Sequence, residues 1–201
     1  MIEIHSLLEF DTHLESGRTL SGVVLQGLNL SDRTNKLRSG DLTDALFLGC
    51  DLDTSIVCDM ISRGAILFPK LSGIPFNAYR NRLYAAEELL GSVESPLPYP
   101  ETLDGRIYQH YLAEGGANAA HIKETLARRL HDHAMTDARN EFIAGQKVVA
   151  IMGGHSLRRD DPGYLEVAEM AADLAARGFL LTSGGGPGAM EATHLGAWFS
   201  D

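Results

Sequence analysis

Lys147-Val148-Val149-Ala150-Ile151-Met152-Gly153-Gly154-His155-Ser156 carries the clearest fold signal in the chain. Its near-continuous apolar run has the pattern of a strand buried on both faces of a parallel sheet, and the two glycines stop it. Asp161-Pro162 then opens a helix, with a capping carboxylate followed by a proline whose φ is already helical. Tyr164, Leu165, Ala168, Ala171, Ala172, Leu174 and Ala175 supply the packing face of that helix up to Arg177-Gly178. Phe179-Leu180-Leu181-Thr182 is the next strand. Ser183-Gly184-Gly185-Gly186-Pro187-Gly188 follows it directly, and a further helix is predicted over 189–199. The pattern is β-α-β-α with a glycine loop after each strand, and the expected class is α/β: a Rossmann-like parallel sheet with flanking helices.

Towards the N-terminus, three apolar runs recur: Val23-Val24-Leu25, Ala45-Leu46-Phe47-Leu48 and Ala65-Ile66-Leu67-Phe68. The spacers Ser31 to Leu42 and Asp53 to Arg63 are long enough for crossover helices, and each begins with a capping residue. A small α/β module, β-α-β-α-β, is expected here. The phrases Leu-Gln-Gly-Leu-Asn-Leu and Asp-Leu-Thr-Asp-Ala-Leu hint at a five-residue solenoid repeat, but two imperfect copies are too few to build one. A short helix is predicted over 78–90, ending at Gly91, and Pro96, Pro98 and Pro100 make an extended linker. Helices are predicted over 103–114 and 118–143. On the second, Ile122, Leu126, Leu130, Ala134, Ala138 and Phe142 recur every four residues as one packing stripe, and Gly145 ends it. These signals divide the chain into an N-terminal module over 1–95, a helical connector over 96–145, and a glycine-loop domain over 146–201.

The 201 residues hold 17 Lys plus Arg against 27 Asp plus Glu, a formal charge of −10, with 44% hydrophobic and 22% charged residues. That composition is globular. The richest apolar region, Val167 to Thr182, is interrupted by Glu169, Asp173 and Arg177, so no membrane span is expected. The start, MIEIHSLLEFD, lacks a basic leader and is not read as a secretory signal, which gives a cytoplasmic expectation. Cys50 and Cys58 have no redox or metal spacing and read as free thiols. The acidic balance disfavours nucleic acid, because no basic run exceeds two residues.

Glycines at a strand-to-helix junction let a ligand approach the backbone, where unpaired N–H groups and the helix dipole favour an anion, most naturally a phosphate. Residues 184–189 also fit G-x-G-x-x-A. A dinucleotide site, however, follows the first strand and ends the second in an acidic residue, whereas this second strand ends in Ser183-Gly184. No cofactor is therefore expected. The candidate phosphate and substrate set is Gly153, Gly154, His155, Ser156, Ser183, Gly184, Gly185, Gly186, Gly188, Met190 and Glu191.

These two glycine segments, with Ala175-Ala176-Arg177-Gly178 between them and Met190-Glu191-Ala192 after them, resemble the start of the LOG family, often labelled a lysine decarboxylase family. The upstream His131-Asp132-His133-Ala134 and Phe47-Leu48-Gly49-Cys50 resemble its longer, actinobacterial-type members. The resemblance implies a Rossmann-like nucleotide-binding protein. It also implies phosphoribohydrolase activity, the hydrolysis of the N-glycosidic bond of a nucleoside 5′-monophosphate to free base and ribose 5-phosphate. Gly153, Gly154 and Ser156 match the family's first loop, and Gly184, Gly185, Gly186 and Gly188 its G-G-G-x-x-G phosphate motif. The second motif, P-G-G-x-G-T-x-x-E, and the arginine before it, which supply the catalytic groups, do not occur in this sequence. A truncated member is the expectation, holding half of a nucleotide-binding domain, weakly binding, with little or no turnover and stabilised as a homo-oligomer.

Other residues carry competing readings. His131 and His133 diverge on a helix and cannot share a metal, and His133 with Asp137 makes an incomplete pair, so no metal is expected. Arg158 and Arg159 either meet an anion or form an exposed charged loop. Glu191 either satisfies helix N–H groups or touches a ribose. Ser156 and Ser183 lack a nucleophile elbow, which excludes acyl transfer. A non-enzymatic nucleotide-sensing module uses the same loops. The stretch Ala175 to Gly184 also resembles the core of the DNA-processing protein A family, a single-stranded DNA binder, against which the acidic charge argues.

Overall fold

The computed structural model of the protein describes residues 2–200. The chain divides into two compact units, 1–139 and 140–201. The first holds strands β1 (Ile2–Ile4), β2 (Val23–Gln26), β3 (Leu46–Leu48) and β4 (Ile66–Phe68), with helices α1 (Leu7–Glu15), α2 (Thr34–Ser39), α3 (Val57–Ser62), α4 (Ala86–Leu90) and α5 (Leu103–Ala113). Helix α6 (Ile122–Ile143) carries the chain across the division. The second unit holds β5 (Lys147–Ile151), α7 (Pro162–Ala176), β6 (Phe179–Ser183) and α8 (Ala189–Trp198). The protein is α/β, with parallel sheets flanked by helices in the Rossmann-like manner expected. No helix among the described residues is long and apolar enough to cross a membrane.

The four strands of the first unit pair in chain order, β1-β2-β3-β4, all parallel. A strand not anticipated from the sequence, Ile2–Ile4, forms the first edge. Alternation divides the side chains between two faces. Val23, Leu25, Ala45, Phe47 and Ala65 face the helices, where Phe10 of α1, Leu37 of α2 and Met60 of α3 seal a single core. Asp53 caps the turn before α3 as expected, accepting from the Ser55 N–H. Ser31 does not cap α2; it lies inside a 3₁₀ turn, and its own N–H is taken by the Asn29 side chain. Arg63 ties the layers together by donating to the Leu37 and Gly40 carbonyls at the end of α2, each at 2.6 Å.

The structure also uncovers a repeat longer than the five-residue phrases considered above. Gly27 and Gly49 follow β2 and β3 at equivalent places, both with positive φ, and pairing continues past them through the Asn29–Asp51 bridge. Gly49 has a second constraint. A Cβ on it would lie 2.3 Å from the Tyr79 ring, which crosses the strand end and donates its hydroxyl to the Pro69 carbonyl.

Tyr79 belongs to the cover on the opposite sheet face. There Leu48 and Phe68 pack on Ala78, Tyr79, Ala127 and Leu130. Within the helical connector expected over 96–145, Ala127 and Leu130 belong to this cover, and the compact units meet at 139/140. The expected helix over 78–90 is reduced to α4. Before it the chain is irregular, because Arg80 folds back to donate to the Arg82 and Leu83 carbonyls and to pair with both Glu88 oxygens at 2.5 Å. On α6, which begins four residues later than expected, the every-fourth-residue stripe holds in its middle and fails at its ends. Leu130 packs on the core and Ala134 and Ala138 are buried, whereas Ile122 is 83% exposed and Phe142 54%, and Glu124 and Ala127 take the buried side near the start. Steps of four overrun the 3.6-residue turn, so a line of six such residues drifts around the helix.

In the second unit β5 and β6 pair in parallel from Lys147↔Phe179 to Ile151↔Ser183. Asp161 caps α7 with Pro162 in its first turn, as predicted. Helix α8 crosses α7 backbone to backbone: a Cβ on Gly196 would stand 2.0 Å from the Ala168 carbonyl oxygen. Tyr164, Ala168 and Ala192 form the core between the two helices. The expectation that Val148 to Ile151 is buried on both faces is corrected. Val148 is 39% exposed and β5 is at best half-buried, because one neighbouring strand and one helix pair cannot cover both sides.

Two outcomes follow. Gly49→Ala should lower unfolding free energy by about 3 kcal/mol, since it adds a collision with Tyr79 to left-handed strain. Gly17→Ala, with the same positive φ and open space around it, should cost only about 1 kcal/mol in the same denaturation series. The second concerns pH. Burial pushes the His131 imidazole below its ordinary value more than Asp132 raises it, and the Arg80 charge adds to the fall. A folded-state value below the unfolded one means that the unfolded chain takes up the proton first, so stability drops as pH falls below about 6.5. In His131→Gln the denaturation midpoint should change less between about pH 7.5 and 5.5 than in the parent protein.

Candidate functional site

The glycine loops lie at the carboxyl ends of β5 and β6, where ligands gather in open parallel sheets. Gly153 and Gly154 have φ of 86° and 65°, and Gly185 and Gly188 of 73° and 75°. The two loops are locked together. The Gly154 carbonyl accepts from the Leu157 N–H and, at 3.2 Å, from the Ala189 N–H. Gly188 passes so close that a Cβ on it would lie 2.1 Å from the Gly154 oxygen, and one on Gly154 would meet the Ala189 methyl at 2.6 Å. Glycine is needed at 154 and 188 for close approach as well as for φ.

Met190 folds back over the second loop. Cβ atoms on Gly184 and Gly186 would lie 3.2 and 2.5 Å from its Sδ and Cε. Ser183 sits at the base of the loop, accepting the Gly185 N–H at 3.1 Å and sharing a 2.7 Å hydrogen bond with His194 Nε2. His194 was not singled out from the sequence. It lies eleven residues downstream on α8, in no motif, and only the crossing of β6 and α8 brings it to Ser183. Among the described residues no carboxylate pairs with His194, so the pair lacks the third orienting group of a nucleophilic triad. Its evident effect is to pin the loop.

Glu191 accepts no helix N–H among the described residues. It forms a 2.5 Å ion pair with Arg159, linking the first loop to the start of α8. The Glu191 hydrogen bond and charge raise the Arg159 guanidinium above its ordinary value, which keeps it cationic. Arg158 forms instead a two-point pair with Asp160, at 2.8 and 3.0 Å. His155 and Ser156 are exposed, and their side chains have no partner among the described residues. The Gly186 and Gly188 N–H groups likewise have no partner there, at the amino end of the ten-residue α8. The arrangement can receive an anion: unpaired backbone donors stand at the positive end of a helix dipole. No cluster of three or more metal-ligating side chains occurs among the described residues.

Comparison with known protein families, with curated proteins and with solved structures finds no match for this chain. What the fold and the crest define is an α/β protein with paired glycine loops at a parallel-sheet end.

Gly188→Ala should push the two loops apart and lower the unfolding free energy by more than about 2 kcal/mol. Gly153→Ala, also at positive φ but with nothing within 4 Å, should cost about half as much. Thermal unfolding followed by circular dichroism gives the comparison.

Proposed function

We propose that the glycine crest binds the 5′-phosphate of a nucleoside monophosphate, and that the chain is a nucleotide-binding protein of the kind its glycine motif resembles, the LOG-type phosphoribohydrolases. The observation that carries this reading is the docking of the loops at the α8 terminus, with the Gly186 and Gly188 N–H groups unpaired among the described residues and Arg159 tied to Glu191 in the first turn of that helix. A phosphate dianion takes several N–H donors and a guanidinium at once. Met190 covers the loop with a flexible thioether that can fold against a sugar. His155 and Ser156, both unpaired, supply further polar contacts.

In this reading the reaction is hydrolysis of the bond between base and ribose, through an oxocarbenium-like transition state. The acidic second motif and its arginine do not occur in these 201 residues, so this chain is expected to bind without appreciable turnover. A second reading, a nucleotide sensor in which the crest reports occupancy and performs no chemistry, uses the same phosphate cradle. Base release separates the two once residues carrying the second motif are supplied.

Calorimetric titration with AMP, GMP, CMP and UMP, with the matching nucleosides as controls, tests the proposal. Binding should require the 5′-phosphate and should weaken at least about tenfold in Gly185→Asp, which puts a carboxylate where the anion sits. Equal affinity for nucleotides and nucleosides would refute a phosphate site.

A further inference from the structure

The first unit contains a cavity that the glycine crest does not explain. It has a volume of about 330 Å³ and lies between the segment carrying Phe76, helix α5 and helix α6. Small-molecule sites begin at about this size, and most have apolar walls with a few converging polar groups. Phe76 and Ile107 form the apolar wall.

The polar wall is a closed network. Glu124, 1% exposed, accepts from Arg128 Nε at 2.7 Å and lies 3.0 Å from His110 Nε2. Arg128 donates onward to the Gly116 and Glu114 carbonyls and lies 5.0 Å over the Tyr111 ring. A buried ion pair costs free energy relative to apolar packing, so its presence beside a cavity calls for a use. The Glu124 charge is matched by Arg128. Asp132 is different: it lines the cavity, its side chain is 70% exposed, and among the described residues it approaches only His131, at 4.0 Å. His131 shares a 3.0 Å hydrogen bond with the Tyr84 hydroxyl through its other nitrogen and packs edge-to-face with the Phe76 ring. One carboxylate therefore stands unmatched at the rim of an aromatic-walled pocket. The chemistry complementary to that is a flat ring bearing a cation, because both the carboxylate and the ring faces attract positive charge.

We propose that this cavity is a binding site for a small aromatic amine, whose ring packs on Phe76 and Ile107 and whose ammonium pairs with Asp132. It lies wholly within residues 1–139 and stands or falls independently of the nucleotide reading.

The test is a titration of the full chain with tryptamine and its isosteres, neutral indole and anionic indole-3-propionate, followed through the imidazole NMR resonances of His110 and His131. Tryptamine should shift both and bind at least about tenfold more tightly than either isostere. Asp132→Asn, at an exposed position, should bring tryptamine down to the level of indole. Ile107→Trp should fill the cavity and abolish the shifts; if that variant does not fold, the Asp132→Asn comparison still decides. Unmoved imidazoles, equal binding of all three compounds, or an unaltered preference in Asp132→Asn would each overturn the proposal.

Discussion

A parallel strand presents an apolar side chain to each side of its sheet, and the cost of leaving either side in water organises both units of this protein. In the first unit the helices cover one side through Phe10, Leu37 and Met60, and the segment around Tyr79 with part of α6 covers the other. Several details of that unit serve the second cover. Arg80 folds back to hold the covering segment, Gly49 must be glycine to admit the Tyr79 ring, and α6 turns Ala127 and Leu130 towards Leu48 and Phe68. In the second unit the same demand is met only in part, since β5 and β6 remain half-buried or exposed beside one helix pair.

The elements of the second unit were legible because each carried a local signal. Asp161-Pro162 marked the start of α7, Arg177-Gly178 its end, and the glycine runs fixed both strand ends within a residue. The 22-residue spacing of Gly27 and Gly49 was harder to see: the repeat is one of backbone conformation, while the side chains around it differ. Strand β1 escaped notice because Ile2-Glu3-Ile4 is too short to show a period. It is a strand through its pairing with Val23 to Leu25, a tertiary cause.

The candidate crest was legible to the extent that glycine is. Sequence pointed to Gly154 and Gly188 as conformationally special, and the structure adds that they touch. The Ser183–His194 and Arg159–Glu191 contacts depend on which helix face meets which loop, and no local pattern encodes that. The stripe of α6 breaks down at its ends for a related reason. A four-residue period drifts off any one helix face, and near the start Glu124, with its partners His110 and Arg128, occupies the buried side in place of Ile122.

The strand order of the first unit has a kinetic meaning. Ile2 pairs with Val23, Val24 with Leu46, and Leu46 with Ile66, so every ladder joins strands about one repeat apart along the chain. Loops that short close at little entropic cost, and the sheet can lengthen one strand at a time from whichever pair forms first. The cover from Tyr79 and α6 lies farther along the chain and can dock only when β3 and β4 are in register. Refolding should therefore place sheet growth early and sealing of the second face late, with the ring of Tyr79 arriving over Gly49 as one of the last events.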